Sequence, residues 1–381
     1  VDFTYAMKKR TEPLETPDAA RDIGFLRQCT PTTLPLNTGP ILVATGAALF
    51  AMTNAASTAF YRRGGTIITV YLVRCVVVFI ANCITTLIVD GKDAAAHVFL
   101  LRSGSQSSSN FAYIRGLLGS AQSLGLNIAL IFVTFADAFT IFKGVDSVST
   151  VLIARALLDR GERLTIQELA CGALTLAGVV LIAQPPLLFG DSAAHVNALA
   201  LGVAAFAGSL SAGFSVITRV LSKAGGSHAA HLSPAMLLSH KLVVMWLFFA
   251  AVGLLGYLTG LSNAPGFGWM RFKMPEELTD WSILALHCIL TLGAQLALAA
   301  GYATTRAGIG GFLQLTELAW VYCIDVTILA EPTNLYASMG TMLVFASAVA
   351  VLQVQSATKA DGSAAASGKG LKESLLPSAA K

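Results

Sequence analysis

Three charged residues sit where charge is expensive. Lys143, Asp146 and Glu317 lie near the middle of long apolar stretches. On insertion scales a charge at mid-bilayer costs about 2.5–3.5 kcal/mol, so such groups normally face a cavity or a partner. Lys143 and Asp146 are three residues apart, on adjoining positions of one helix face that Thr150 extends. Gln314, Glu317 and Val321 repeat that pattern further along the chain. Acidic groups so placed suit a solute site or a proton site. They suit equally a buried Lys143–Asp146 ion pair that holds a bundle together. Arg74, about eight residues into another apolar stretch, is a candidate for holding an anionic group, because guanidinium meets carboxylate or phosphate with two bonds. Lower in rank are Asn82, His240, Lys241, His287, Gln295 and Asp325. For the lone histidines the first reading is packing. Arg115, Arg155 and Arg219 fall near stretch ends, where long side chains can reach the interface.

The elements that must carry these residues are set by hydropathy. The chain of 381 residues is 55% hydrophobic and 12% charged, with a mean hydropathy of +0.69. Soluble domains carry about 25% charge, and no soluble core hides so many runs of about 20 apolar residues. A polytopic membrane protein is expected, with the lipid bilayer as its first partner. Ten spans are predicted: 41–61, 66–89, 114–135, 137–159, 165–184, 198–220, 235–257, 281–303, 308–330 and 335–356. The prolines avoid them, as helices that must bond internally in lipid require. Polar tails over 1–40 and 357–381 flank the spans, the second read as disordered from its Ala, Ser, Gly and Lys content. Residues 185–197 form the central connection.

Lys and Arg near the span ends set the orientation. With the N-terminus in the cytosol, eleven fall inside (Arg21, Arg27, Lys92, Arg102, Arg160, Arg163, Lys223, Arg306, Lys359, Lys369, Lys372) and four outside (Arg62, Arg63, Arg271, Lys273). Both tails are therefore expected in the cytosol. Residues 1–30 show no signal-peptide pattern, and the start at Val1 leaves open whether a segment precedes it. The net charge of +4 is small and scattered, which argues against nucleic acid as a partner. The cysteines fall in apolar runs and read as packing residues.

The third to fifth spans resemble the eighth to tenth. Aligning Phe135-Ala136-Asp137-Ala138-Phe139 with Arg306-Ala307-Gly308-Ile309-Gly310 places Lys143 on Gln314 and Asp146 on Glu317. After a two-residue gap, Glu162 meets Glu331. A five-helix unit crosses an odd number of times, so its second copy enters upside down. Inverted repeats let two halves exchange conformations and alternate the side of access. The fold class expected is thus an all-α polytopic membrane protein with two inverted five-helix repeats, over 41–184 and 198–356.

The joint Leu157-Leu158-Asp159-Arg160-Gly161-Glu162-Arg163-Leu164-Thr165, with Gly172 and Ala177-Gly178-Val179-Val180-Leu181-Ile182 after it, resembles the end of an EamA-type repeat of the drug/metabolite transporter superfamily. Tyr113-Ile114-Arg115-Gly116-Leu117-Leu118-Gly119-Ser120 and Pro185-Pro186-Leu187-Leu188-Phe189-Gly190 are similar to the G branch of solute carrier family 35. The resemblance implies ten helices, cytosolic tails, a central cavity and carriage of organic solutes. Sugar-phosphate translocators of the superfamily place basic residues on the ninth helix, where this chain has Gln314, Glu317 and Asp325.

A secondary transporter of a small organic solute is therefore expected, with Arg74, Lys143 and Lys241 tilting the solute towards an organic anion or phosphorylated metabolite. No phosphate-binding loop, H-E-x-x-H or G-x-S-x-G is present, and no metal or cofactor motif. The alternatives are a non-transporting scaffold or regulator of the same fold and, ranked below it, a membrane-embedded enzyme. The sixth span spaces small residues by four, Ala204 with Gly208 and Ser209 with Gly213, which suits close packing between halves or a homodimer face.

Overall fold

The computed structural model describes residues 38–101, 106–132, 135–157, 165–184, 198–222, 232–264, 267–327 and 335–374. The parts of the predicted tails and connections beyond these, including the joint 158–164 and Glu331, lie outside the described residues, as do the side chains of Asp137 and Asp325. The described chain is almost entirely helical: α1 (Thr38–Arg62), α2 (Ile67–Val89), α3 (Lys92–Phe99), α4 (Gln106–Phe132), α5 (Phe135–Leu157), α6 (Ile166–Ala183), α7 (Ala198–Ser222), α8 (Pro234–Leu258), α9 (Leu278–Thr304), α10 (Ala307–Gln314), α11 (Thr316–Thr327) and α12 (Leu335–Ser374).

Local chemistry sets the helix starts. Thr66 caps α2 by accepting the Thr69 amide, and Ser233 caps α8 just before Pro234 at its first turn. Thr165 and Glu168 form a reciprocal capping box on α6. That helix ends where Gln184 turns left-handed (φ 43°), one residue before Pro185.

Among the described residues seven segments are long and apolar enough to cross a membrane: α1, α2, Leu199–Ser222, α8, α9, Ala307–Ile324 and Leu335–Val354. Their outward faces carry Ile80, Ile84 and Ile88 on α2 and Leu247, Leu254 and Leu255 on α8, all exposed. An apolar face turned outward is what a lipid solvent asks for. α6 has a shorter apolar stretch, Ile166–Ile182. α4 and α5 carry more polar side chains than these.

Three boundaries differ from the sequence reading. The stretch between the predicted spans 66–89 and 114–135 contains α3, whose Ala94 and Val98 are buried, and Ser107, Ser108 and Ser109 already belong to α4, which starts at Gln106. Packing there outweighs the weak intrinsic preference of serine. The predicted ninth span is two helices, broken at Leu315. α12 runs on to Ser374 through the Ala-rich stretch, with no proline before Pro377 to stop it.

The packing follows pairs. α1 lies along α9, α7 along α4 and α5, α8 against α2 and α4, and α6 along α12, while α10 and α11 touch α1. α1 and α9 are antiparallel. Gly39 at the start of α1 sits so close to Thr304 and Thr305 that a methyl group there would collide. At the other end Arg63 pairs with Glu277 and, at 2.5 Å, with Asp280. The bond to Asp280 raises the Arg63 pKa above its ordinary value. Thr66 and Thr69 donate to the carbonyls of Arg271 and Lys273 at 2.7 and 2.9 Å, fixing the α8–α9 connection at that same Arg63 end.

Gly208 settles what the small residues of α7 face. A Cβ there would lie 2.4 Å from the Phe142 carbonyl oxygen, so this stripe packs inside the protein against α5, while Ser209 on the other stripe is exposed.

Candidate functional site

A cavity of about 200 Å³ lies among α1, α2, α4, α5, α7, α8, α9 and the α10–α11 break. It is lined from the helix middles towards the Arg63 end by residues such as Asn54, Tyr61, Tyr71, Gln122 and Phe142. α6 and α12 contribute nothing to it. Of the first-ranked candidates, Arg74, Lys143, Gln314 and Glu317 line the cavity, and so do Lys241, His287 and Gln295.

The centre of the site is an ion pair. Lys143 Nζ on α5 reaches Glu317 Oε2 on α11 at 2.6 Å, with both residues buried. The Asn54 amide of α1 donates to the other carboxylate oxygen at 2.7 Å. This corrects the expected Lys143–Asp146 pair: the lysine stem is long enough to leave its own helix. The pair thus joins three helices instead of stapling one. Asp146 sits behind the cavity wall, 2% exposed, where the Thr150 hydroxyl meets it at 3.4 Å and Ser211 is a second donor.

The break at Leu315 falls between the two site residues of that segment. The Leu315 amide bonds back to Phe312 in place of Gly311, which tightens the turn. The Gly311 carbonyl so released receives the Ser147 hydroxyl of α5 at 3.5 Å, and the Thr316 hydroxyl bonds the Leu313 carbonyl at 2.7 Å. Irregular backbone at such a depth is tolerated where it is buried in protein or lines a cavity, and Gln314 and Glu317 on either side do line it.

The other lining groups differ in how far they are satisfied. His287 Nδ1 sits 3.2 Å from the Thr53 carbonyl and 3.0 Å from Ser57 Oγ, while its Nε2 is buried without a partner among the described residues. Asn127 donates to the Tyr71 hydroxyl at 3.1 Å. Gln295 and Gln314 make no hydrogen bond among the described residues, so their amides are available to a solute.

Two lower-ranked candidates stand elsewhere. Asn82 donates to the Ala235 carbonyl and Ser239 Oγ, both at 2.9 Å, and ties α2 to α8. His240 is fully buried, bonded through Nδ1 to the Met236 carbonyl at 2.9 Å and set edge-on to Tyr113. Asn54, Ser57, Gln122 and Asn127 belong to the site although the sequence does not single them out. Their signal is a polar amide or hydroxyl inside an apolar run, which is weaker than a charge.

The end opposite Arg63 holds buried arginines in place of a cavity lining among the described residues. Arg115 and Arg219 do not snorkel as expected; both are buried. Arg115 donates to Thr218 Oγ1 at 2.6 Å and the Leu237 carbonyl at 2.8 Å. Arg219 donates to the carbonyls of Tyr302 and Ala303 at 2.8 and 2.6 Å. Arg306 pairs with Glu168, whose second oxygen belongs to the α6 capping box. Tyr302 and Ala303 lie in the last turn of α9, where carbonyls have no partner within the helix, and the Arg219 guanidinium fills them at a depth where no water would. Arg155, by contrast, is exposed.

No family model matches the chain. An uncharacterized membrane protein of Saccharomyces cerevisiae is 23% identical over 256 residues, a match covering 64% of this chain. The chain spans 57% of the length of that relative. A solved crystal structure 13% identical in sequence superposes with a TM-score of 0.64 over 83% of this chain and 98% of its own, a likeness of fold alone. The apolar helices and the yeast relative together make this chain an integral, multi-pass membrane protein of all-α fold.

Proposed function

We propose that the protein is a secondary transporter that moves a small organic solute by alternating access, an organic anion being the first class to try. The observation that carries this reading is the buried Lys143–Glu317 pair, which spans a polar cavity between a continuous helix and a broken one. A purely structural pair has no need of a cavity beside it or of free amides facing it. Discontinuous helices at mid-membrane are a common way for carriers to present polar backbone to cargo.

Two inverted five-helix repeats of the drug/metabolite transporter type, ten spans in all, are part of the proposal. The packing supports it. Exchange α1, α2, α4, α5 and α6 for α7, α8, α9, α10–α11 and α12, and each main pairing returns. α1 on α9 becomes α7 on α4, α5 on α7 becomes α10–α11 on α1, and α2–α8 and α6–α12 map onto themselves. Cytosolic tails follow from the excess of Lys and Arg at that end. The cavity then reaches towards the non-cytosolic side, and the arginine-filled end is cytosolic.

Reconstitution into proteoliposomes tests the transport reading, with uptake from a panel of organic anions with and without a pH gradient. Uptake that stays absent in the charge-free double variant Lys143→Met with Glu317→Leu, at normal protein abundance, supports the carrier. Abundance lost together with uptake, and regained with it in a double variant lacking both charges, assigns the pair to structure.

A further inference from the structure

We propose that Arg74 and Lys241 form a two-cation clamp on the α2–α8 wall of the cavity that receives a small organic dianion. The inference deepens the transport reading and rests on it for the claim that the dianion is cargo.

The cavity is lined by three cations and one carboxylate. Glu317 is committed to Lys143 at 2.6 Å, and Asp146, outside the lining, stands on the same α5 helix as that lysine. The acidic groups are thus gathered on the α5–α11 wall. Across the cavity, Arg74 and Lys241 have no carboxylate partner among the described residues.

Their surroundings are makeshift for ions. Arg74 donates Nη2 to the Met245 sulfur at 2.9 Å and lies over the Tyr71 ring at 4.2 Å, and its Nε is buried with no partner among the described residues. Lys241, 6% exposed, has its ammonium 4.6 Å from the Phe214 ring centre and makes no hydrogen bond among the described residues. The Cys75 thiol also bonds Arg74, and the Phe214 ring beside Lys241 carries the Arg115 guanidinium at 4.2 Å as well, so neither cation has a carboxylate among the described residues to offset its desolvation.

The two cations are close enough to share one ligand. Met245, which Arg74 touches, is one helical turn beyond Lys241 on α8, a rise of roughly 5–6 Å. A guanidinium and an ammonium on neighbouring turns of one cavity wall suit two carboxylates of one short chain, or the doubly charged head of a phosphate monoester. The Gln295 and Gln314 amides face the remainder of the solute.

The test uses the full-length protein purified in detergent and probes of graded charge. Succinate and glycerol 3-phosphate carry two negative charges, butyrate one, and putrescine two positive. Calorimetric titration should show both dianions binding about tenfold or more tightly than butyrate, the weight of one charge-assisted contact, and putrescine not at all. Succinate without glycerol 3-phosphate, or the reverse, identifies which dianion chemistry the clamp takes. Lys241→Gln and Arg74→Gln should each weaken dianion binding about tenfold and bring it level with butyrate.

A second readout needs no ligand. Removing a buried cation that lacks a partner should leave the melting temperature of Lys241→Met unchanged or higher. A lower one would mean that the cation supports the fold, and would overturn the clamp. Butyrate or putrescine binding as well as the dianions would also overturn it. Uptake of some solute that is indifferent to both Gln variants sinks the clamp and leaves the carrier standing. Charge-graded binding with no uptake does the reverse.

Discussion

The two ends of the bundle use arginine in opposite ways. Towards the Arg63 end, Arg74 borders the cavity with a sulfur, an aromatic ring and an unpaired Nε for company. At the other end Arg115 and Arg219 are more fully buried than Arg74, yet each donates to a backbone carbonyl of a neighbouring helix. Depth alone therefore does not mark a functional charge. What marks it is whether the surrounding helices have already supplied its partners. At one end the guanidinium donors meet oxygens of neighbouring helices; at the other, donors stay unmet among the described residues.

The sharpest way to break that contrast is to ask which end admits a reagent. Thr58→Cys, on the cavity wall, should react with a membrane-impermeant maleimide added from the Arg63 side. Ser222→Cys, fully buried in the arginine-filled end, should stay unlabelled from either side. Equal labelling of the two would erase the distinction.

Next in size is the central pair. Lys143→Met leaves a buried carboxylate without its counter-charge, and about 3–5 kcal/mol of stability should be lost. Thermal unfolding in detergent checks this. Lys143→Met with Glu317→Leu should recover most of the loss while solute uptake stays absent. Recovery of both would make the pair a strut.

Arg219→Met should cost less, about 1–3 kcal/mol, because the Tyr302 and Ala303 carbonyls lose a donor. The order of preference among competing solutes should not change. A changed order would mean that the arginine-filled end also selects cargo. The smallest effect belongs to Ser147→Ala. Its hydroxyl meets the carbonyl at the Leu315 break at 3.5 Å, so the fall in stability should be under about 1 kcal/mol. A much larger fall would show that α5 holds the break in place.

Much of this is legible in the order of the amino acids. Hydropathy runs and the exclusion of proline locate the helices, because lipid leaves a backbone no alternative to internal bonding. Lys143 and Glu317 are legible as deep charges. Which partner Lys143 takes is not. Spacing along a helix reports neighbours on that helix, and the Glu317 contact depends on how α5 meets α11. The same limit hides Asn54, whose role exists only through a residue 263 positions away. The break is legible only in part: Gly308, Gly310 and Gly311 suggest a flexible or discontinuous start to that span, but not a break as far along as Leu315. The run Phe312-Leu313-Gln314-Leu315-Thr316 holds no glycine or proline, and hydroxyls from outside and within the turn stabilise the gap beside the Leu315 amide bond to Phe312.

α6 and α12 touch backbone to backbone. A Cβ at Gly340 would lie 2.5 Å from the Gly178 oxygen, and Thr175 bonds Ser347 at 2.8 Å on the same seam. Neither helix borders the cavity. With no side chain between them at this seam, the two rods resist sliding past each other and form the stiffest pairing outside the cavity. Its amide protons should be the last in the molecule to trade for deuterium.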